Sequence, residues 1–162
     1  MSIPIRYIPK SLSIKDKVKQ KKNILKSRKL YQKGIYYQRP KVKSFHSHTS
    51  DHVKNAEKYY NVSHILPNQE LARKTKCSRA ALEKIVNKGR GAYYSSGSRP
   101  NQTAESWGRA RLASVITGGP SSIIDYHIIN EGCAKNGPVY KMATRRCKRE
   151  GRCKKYTLRS KL

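Results

Sequence analysis

Apolar residues recur every three to four positions along much of the chain and nowhere settle into sustained alternation, so the pattern predicts helices rather than strands. Ser13 followed by Asp16 resembles a capping box and opens a predicted helix from about Ile14 to Tyr31. Its apolar positions, Ile14, Val18, Ile24, Leu25 and Leu30, form a thin stripe among lysines and arginines. A helix so sparsely apolar is weakly held alone and is expected to settle on the core or on something acidic. Gly34 stops it, and residues 35–48, with Pro40, read as an extended linker. A second helix, capped by Thr49 or Ser50, runs through Tyr60 with Val53, Ala56 and Tyr60 on one side. Pro67 and Asn68 open a third over NQELARKT, and Ser78 caps a fourth over RAALEKIVN that Gly89 is placed to end. Residues 89–101, GRGAYYSSGSRPN, read as a loop. Asn101 or Thr103 caps a helix to about Ile116 that carries the only tryptophan, Trp107. Gly118-Gly119-Pro120 breaks the chain, Ser122 and Asp125 start a last short helix to Asn130, and Gly132 ends it. Beyond Cys133 no period is visible, and there is no internal repeat.

Charge turns this string of helices into an organisation. The 162 residues suit one domain, 36% hydrophobic content is low for a well-filled one, and 37 lysines and arginines stand against nine acids. Residues 1–50 hold 14 basic groups and one acid, residues 133–162 hold 11 and one, and the segment between holds 12 and seven. The expected arrangement is mainly α: a basic N-terminal arm over 1–49, a small helical domain over 50–132, and a basic, cysteine-containing tail over 133–162. A net charge of +28 opposes compaction and calls for a polyanion. Duplex DNA carries one charge per ~1.7 Å, so 28 charges match a stretch of roughly 50 Å. Nucleic acid, DNA ahead of RNA, is the expected partner.

Other classes fit less well. No apolar run approaches the ~20 residues of a membrane span, the N-terminus lacks the apolar stretch of a secretory signal, and the basic segments lack the apolar face of an interfacial helix. No membrane partner is expected. Four cysteines (Cys77, Cys133, Cys147, Cys153) are too few and too uneven for a secreted disulfide framework, so reduced thiols are expected. His127, Cys133, Cys147 and Cys153 are a conceivable zinc set, but they lack the close ligand pairs of structural sites. No metal or cofactor is expected. Asp125 and His127, two apart on a helix, face different ways, and Ser95, Ser96 and Ser98 have no nucleophile context, so no enzyme is expected.

The most specific local pattern runs from Asn68 to Val86. A DNA-reading helix-turn-helix needs a small residue in its first helix and apolar residues ten and thirteen positions later, which Ala72, Leu82 and Ile85 supply beside Leu71 and Val86. Ser78 then caps a second helix that presents Arg79, Ala80, Glu83 and Lys84. Lys76 stands where such turns commonly hold glycine, so it needs another turn or a left-handed backbone, and Glu83 faces phosphates unless it accepts from a cytosine amine. An ordinary helical hairpin has the same spacings. The Gly/Tyr/Ser segment admits three readings. Gly89, Gly91 and Gly97 with Arg90 and Arg99 can approach a phosphate. Tyr93 and Tyr94 can stack on exposed bases. The same tyrosines can instead cover the core. Trp107 reads as a core anchor, and Arg99, Arg109 and Arg111 as a basic cluster or as stems packed against it. The candidate nucleic-acid contacts are Arg79, Lys84, Lys88, Arg90, Tyr93, Tyr94, Arg99, Arg109 and Arg111.

Residues 88–133, and above all GAYYSSGSRPNQT and SWGRARLAS, resemble an uncharacterised domain family of large double-stranded DNA viruses of the phycodnavirus and mimivirus kind. The upstream words KSRKLYQKG, KVKSFHSHTSDHV and LARKTKCSRAALEKIV are similar too, so the resemblance spans roughly residues 8–133. It implies a viral setting and a protein made late and carried in the particle, and it assigns no reaction. With the charge, the expected function is a virion-associated basic protein that binds nucleic acid and helps neutralise or organise the genome. Its expected place is the virion interior, reached from the host nucleus or a cytoplasmic assembly site. The alternative is a minor capsid or core protein whose basic arms bind acidic surfaces of neighbouring subunits.

Overall fold

Short polar side chains mark where the helices begin, because the first turn of a helix leaves amide groups that need an acceptor. In the computed structural model, residues 2–151 are described. They form a 3-10 turn at Ile5–Tyr7 and the helices α1 (Ile14–Tyr31), α2 (Asp51–Tyr60), α3 (Gln69–Thr75), α4 (Arg79–Ser95), α5 (Ala104–Ile116), α6 (Ser121–Ile124), α7 (Tyr126–Gly132) and α8 (Pro138–Glu150). The fold is mainly helical, as the periodicity predicts. Ser13 Oγ accepts from the Asp16 amide, Asn68 Oδ1 from Leu71 and Ser78 Oγ from Ala81. Thr103 and Ser106 cap each other reciprocally at the start of α5. At the other end of α1, Gly34 (φ +76°) turns the chain so that Ile35 and Gly34 donate to Leu30 and Tyr31 carbonyls, the paired bonds of a Schellman stop. No helix among the described residues is long and apolar enough to cross a membrane.

The chain divides into two compact units. One comprises the residues up to His48 with Lys88–Gly108, and the other Thr49–Asn87 with the residues from Arg109 on. The second unit holds the larger apolar core, built from Leu71, Leu82, Ile85, Leu112, Ile116, Ile129 and Val139 among others. The Tyr60 hydroxyl donates to the Ile116 carbonyl there, and burial raises its pKa. Between α3 and α4, Lys76 takes the left-handed backbone (φ 55°), the second of the two options open to it, with Cys77 N–H bonded to Ala72 O. The segment after Cys133, aperiodic to the eye, contains α8, which buries Val139, Ala143 and Cys147. Residues 152–162, with Cys153, lie outside the described residues.

The cysteines correct the expectation of reduced thiols. Cys77 and Cys133 form a disulfide, and Cys147 is disulfide-bonded as well. Residues 76–78 and 132–134 run antiparallel: Ser78 N–H donates to Gly132 O (2.7 Å) and Ala134 N–H to Lys76 O (2.8 Å). That pairing leaves the two cysteines directly opposite, with Cα atoms 3.9 Å apart. A Cβ on Gly132 would lie 2.4 Å from the Ala81 Cβ, so glycine is what permits the approach. Of the weighed zinc set, Cys133 and Cys147 are taken up in disulfides.

The first unit is assembled differently, with α1 at its N-terminal side packed through polar contacts. The inward face of α1 is Asp16, Gln20, Ile24 and Ser27, while the expected stripe residues Ile14, Val18 and Leu25 face solvent. Polar anchors do the work that apolar ones were expected to do. Ser44 donates to Asp16 Oδ2 from its backbone (2.8 Å) and its hydroxyl (2.5 Å), so Asp16 serves the linker rather than closing the capping box. Asn101, at φ 62°, accepts from Val42 N–H and donates to the carbonyls of Val42 and Phe45, which fixes the linker. Gln20 Nε2 donates to Tyr7 O, and Tyr7 meets Trp107 edge-on at 5.8 Å.

The predicted loop at 89–101 is largely helix. α4 runs to Ser95, through Gly89 and Gly91. The reason is a close crossing: a Cβ on Gly89 would lie 2.6 Å from Gly108 Cα in α5. Glycine is kept at this point for contact between two backbones, not to end a helix.

Candidate nucleic-acid interface

Lys15, Lys19, Lys22, Lys26 and Lys29 follow one another at spacings of four, three, four and three, which lines them along one side of α1, and all five are exposed. They span about 21 Å of helix axis at 1.5 Å per residue. The only acid of the first 50 residues, Asp16, lies on the buried face. Hydrogen bonds from Ser44, first its side chain and then its backbone, hold the Asp16 carboxyl below its ordinary pKa, so it stays ionised and directed inward. Lys19 Nζ donates to Lys41 O (3.0 Å), and Lys26 Nζ sits 4.6 Å above the Tyr37 ring.

Tyrosines gather at the end of this helix. Tyr36 lies with its ring centre 5.1 Å from Tyr94 and 6.0 Å from Tyr31. Beneath them Tyr93, 1% exposed, meets Tyr94 edge-on at 5.0 Å. The Arg39 guanidinium lies 3.7 Å over the Tyr93 ring and donates to Tyr93 O (2.6 Å), Ser27 Oγ (3.1 Å) and Ser98 Oγ (2.8 Å). Burial lowers the Arg39 pKa, an effect that Tyr93 and Tyr7 oppose. Burial, then Tyr93 and Glu105, raise that of Tyr94.

The sequence-predicted contacts fall into two groups. Lys84, Lys88, Arg99 and Arg109 are exposed. Arg79 is exposed too, but it pairs with Glu83 (3.4 Å) and donates to Pro67 O. Arg90 pairs with Glu105 at 2.7 Å. Tyr93 has no face to offer a base, because the core and Arg39 cover it. Arg111 is held by Asp125, which is fully buried, through two bonds of 2.8 Å, so it belongs to the fold. The phosphate-loop reading fails with the loop: Gly89 and Gly91 are helical, and Gly97 packs on Ile24 and Tyr7. Sequence reasoning missed the one-sided lysines, whose spacing was there to be read, and also Tyr31, Tyr36 and Arg39, which carry no local signal.

Residues 4–125 match the profile of a family of unknown function, DUF5824. The chain belongs to DUF5824. No curated protein and no solved structure matches it. The DUF5824 segment takes in the lysine face, the tyrosine cluster and the Arg111–Asp125 pair, and it ends at Asp125. Cys133 and α8 lie beyond it. There, Lys135, Tyr140, Lys141, Thr144, Arg145 and Lys148 line a second cationic groove. Tyr140 has a lowered pKa in that groove, through its bond with Tyr126 first and then Thr144, Lys135 and Lys148.

Proposed function

We propose that this protein binds nucleic acid, DNA ahead of RNA, and helps neutralise or organise a viral genome within the particle. The lysine face of α1 carries the reading. A solvated charge face normally mixes signs, whereas here five lysines share one side and the neighbouring acid is turned inward. The first unit as a whole holds 17 lysines and arginines against two acids. The viral setting rests on the likeness of residues 88–133 to proteins of large DNA viruses. The Cys77–Cys133 bond fits a stage outside the reducing cytosol, such as carriage in a particle.

Salt titration tests it. Five phosphate contacts give a slope of about −4.5 in log K against log salt, an affinity loss of about 500-fold between 50 and 200 mM. Replacing Lys15, Lys22 and Lys29 together by Gln is expected to make the slope shallower by about 3. Absence of salt-dependent binding to any nucleic acid overturns the reading.

A second reading is favoured by the exposed Ile14, Val18 and Leu25 beside those lysines. It makes the protein a minor capsid or core component whose basic helix lies in an acidic groove of a neighbouring subunit. Crosslinking in intact particles, to genome or to shell, separates the two.

A further inference from the structure

Tyr36 keeps 68% of its surface and Ile35 50%, directly after the turn that ends α1. The rings are held from behind. Tyr31 and Tyr94 lie within 7° of parallel at 6.3 Å, Ser27 Oγ donates to Tyr94 O, and Arg39 clamps Tyr93 under Tyr94. The outer side of Tyr36 is thus an aromatic surface facing solvent, backed by the rings of Tyr31 and Tyr94.

Its surroundings limit what it can receive. Aromatic clusters bind cations, but Lys33 stands three residues from Tyr36, and Glu105, the carboxylate that acts on Tyr94, is paired with Arg90. A neutral apolar segment would leave the lysines without a role. A nucleobase accounts for both, because its π-face stacks on tyrosine while its phosphates meet the lysines. A duplex cannot do this, since its bases are stacked on each other and show only their edges. We infer that the Tyr31–Tyr36–Tyr94 cluster is a stacking site for unpaired bases, with Tyr36 the contacting ring, and that the protein prefers single-stranded nucleic acid to duplex. This rests on the nucleic-acid reading above.

The test uses the full chain with oligo(dT), oligo(U) and a duplex of matched length at one ionic strength, by fluorescence anisotropy. The wild type is expected to bind at least one single strand more tightly than the duplex, and the two single-strand arms show which sugar is accepted. Tyr36→Ala is expected to weaken single-strand binding by about 5- to 150-fold, with the duplex changed by no more than about twofold and the salt slope unaltered. Tyr36→Trp restores the loss. A wild type that binds duplex at least as tightly as both single strands, equal weakening of single strand and duplex by Tyr36→Ala, or no weakening of either overturns the stacking site, while salt-dependent binding by the wild type still upholds the nucleic-acid reading. Failure of the wild type to bind any of the three ligands is instead the failure of the nucleic-acid reading itself.

Discussion

Arg111 and Asp125 form the pair on which a single substitution weighs most. Asp125 has no exposed surface, and Arg111 meets both its oxygens, so Arg111→Ala leaves a buried carboxylate without its bidentate partner. Breaking a buried pair from one side costs about 3–5 kcal/mol, far above the 0–1 kcal/mol of an exposed one. Urea denaturation is expected to show a loss in that range, and nucleic-acid affinity per folded molecule should stay unchanged. Asp16 supplies a pH dependence of definite sign. Its folded pKa is depressed by Ser44, so its contribution to stability is present above the unfolded carboxylate value near 3.9 and is lost as pH falls through the folded one. Denaturation midpoints at neutral pH and through the acid range should therefore fall less steeply in Asp16→Asn than in the wild type. An identical acid profile would remove Asp16 from the account.

At the scale of elements, α4 shows why local rules went astray. Glycine in a helix interior costs about 1 kcal/mol relative to alanine, so Gly89→Ala would ordinarily stabilise. Here the added Cβ meets the Gly108 backbone at 2.6 Å, which cannot swing aside as a side chain can. Gly89→Ala is expected to destabilise by about 1–3 kcal/mol, read as a lowered thermal midpoint, whereas the same change at Gly91, where the nearest atom is Tyr31 Oη at 3.7 Å, is expected to be neutral or stabilising. Helix starts were legible because a cap and its amide lie within three residues of each other. The extension through Gly89 was not, because its cause lies nineteen residues away. The placement of α1 was hidden for a related reason. A buried face of Asp16, Gln20 and Ser27 looks like solvent-facing sequence until Ser44 and the backbone of Tyr7 and Tyr94 are seen to meet it. Tyr93 and Tyr94 are adjacent in sequence, yet only the second borders the open cluster, a distinction that depends on Arg39.

The whole molecule is a strongly cationic chain whose two units are stabilised in different ways. The second relies on an aliphatic core and a covalent link, the first on polar anchors around a smaller core. Loop-closure entropy for cysteines 56 residues apart amounts to about 4 kcal/mol, so reduction is expected to lower stability substantially. Cys77→Ser is expected to reproduce the loss at Cys77–Cys133, and an unchanged midpoint in that variant would exclude a stabilising bond there. The register that sets these cysteines opposite each other is fixed by Gly132 against Ala81, a non-local fit that cysteine spacing does not disclose.

The same link determines what a protease leaves behind. A single nick between residues 78 and 132 would yield two peptides still travelling as one species in a non-reducing gel and separating only when a thiol is added. The lysine helix would in that event remain tethered to α8 after the main chain between them had been cut.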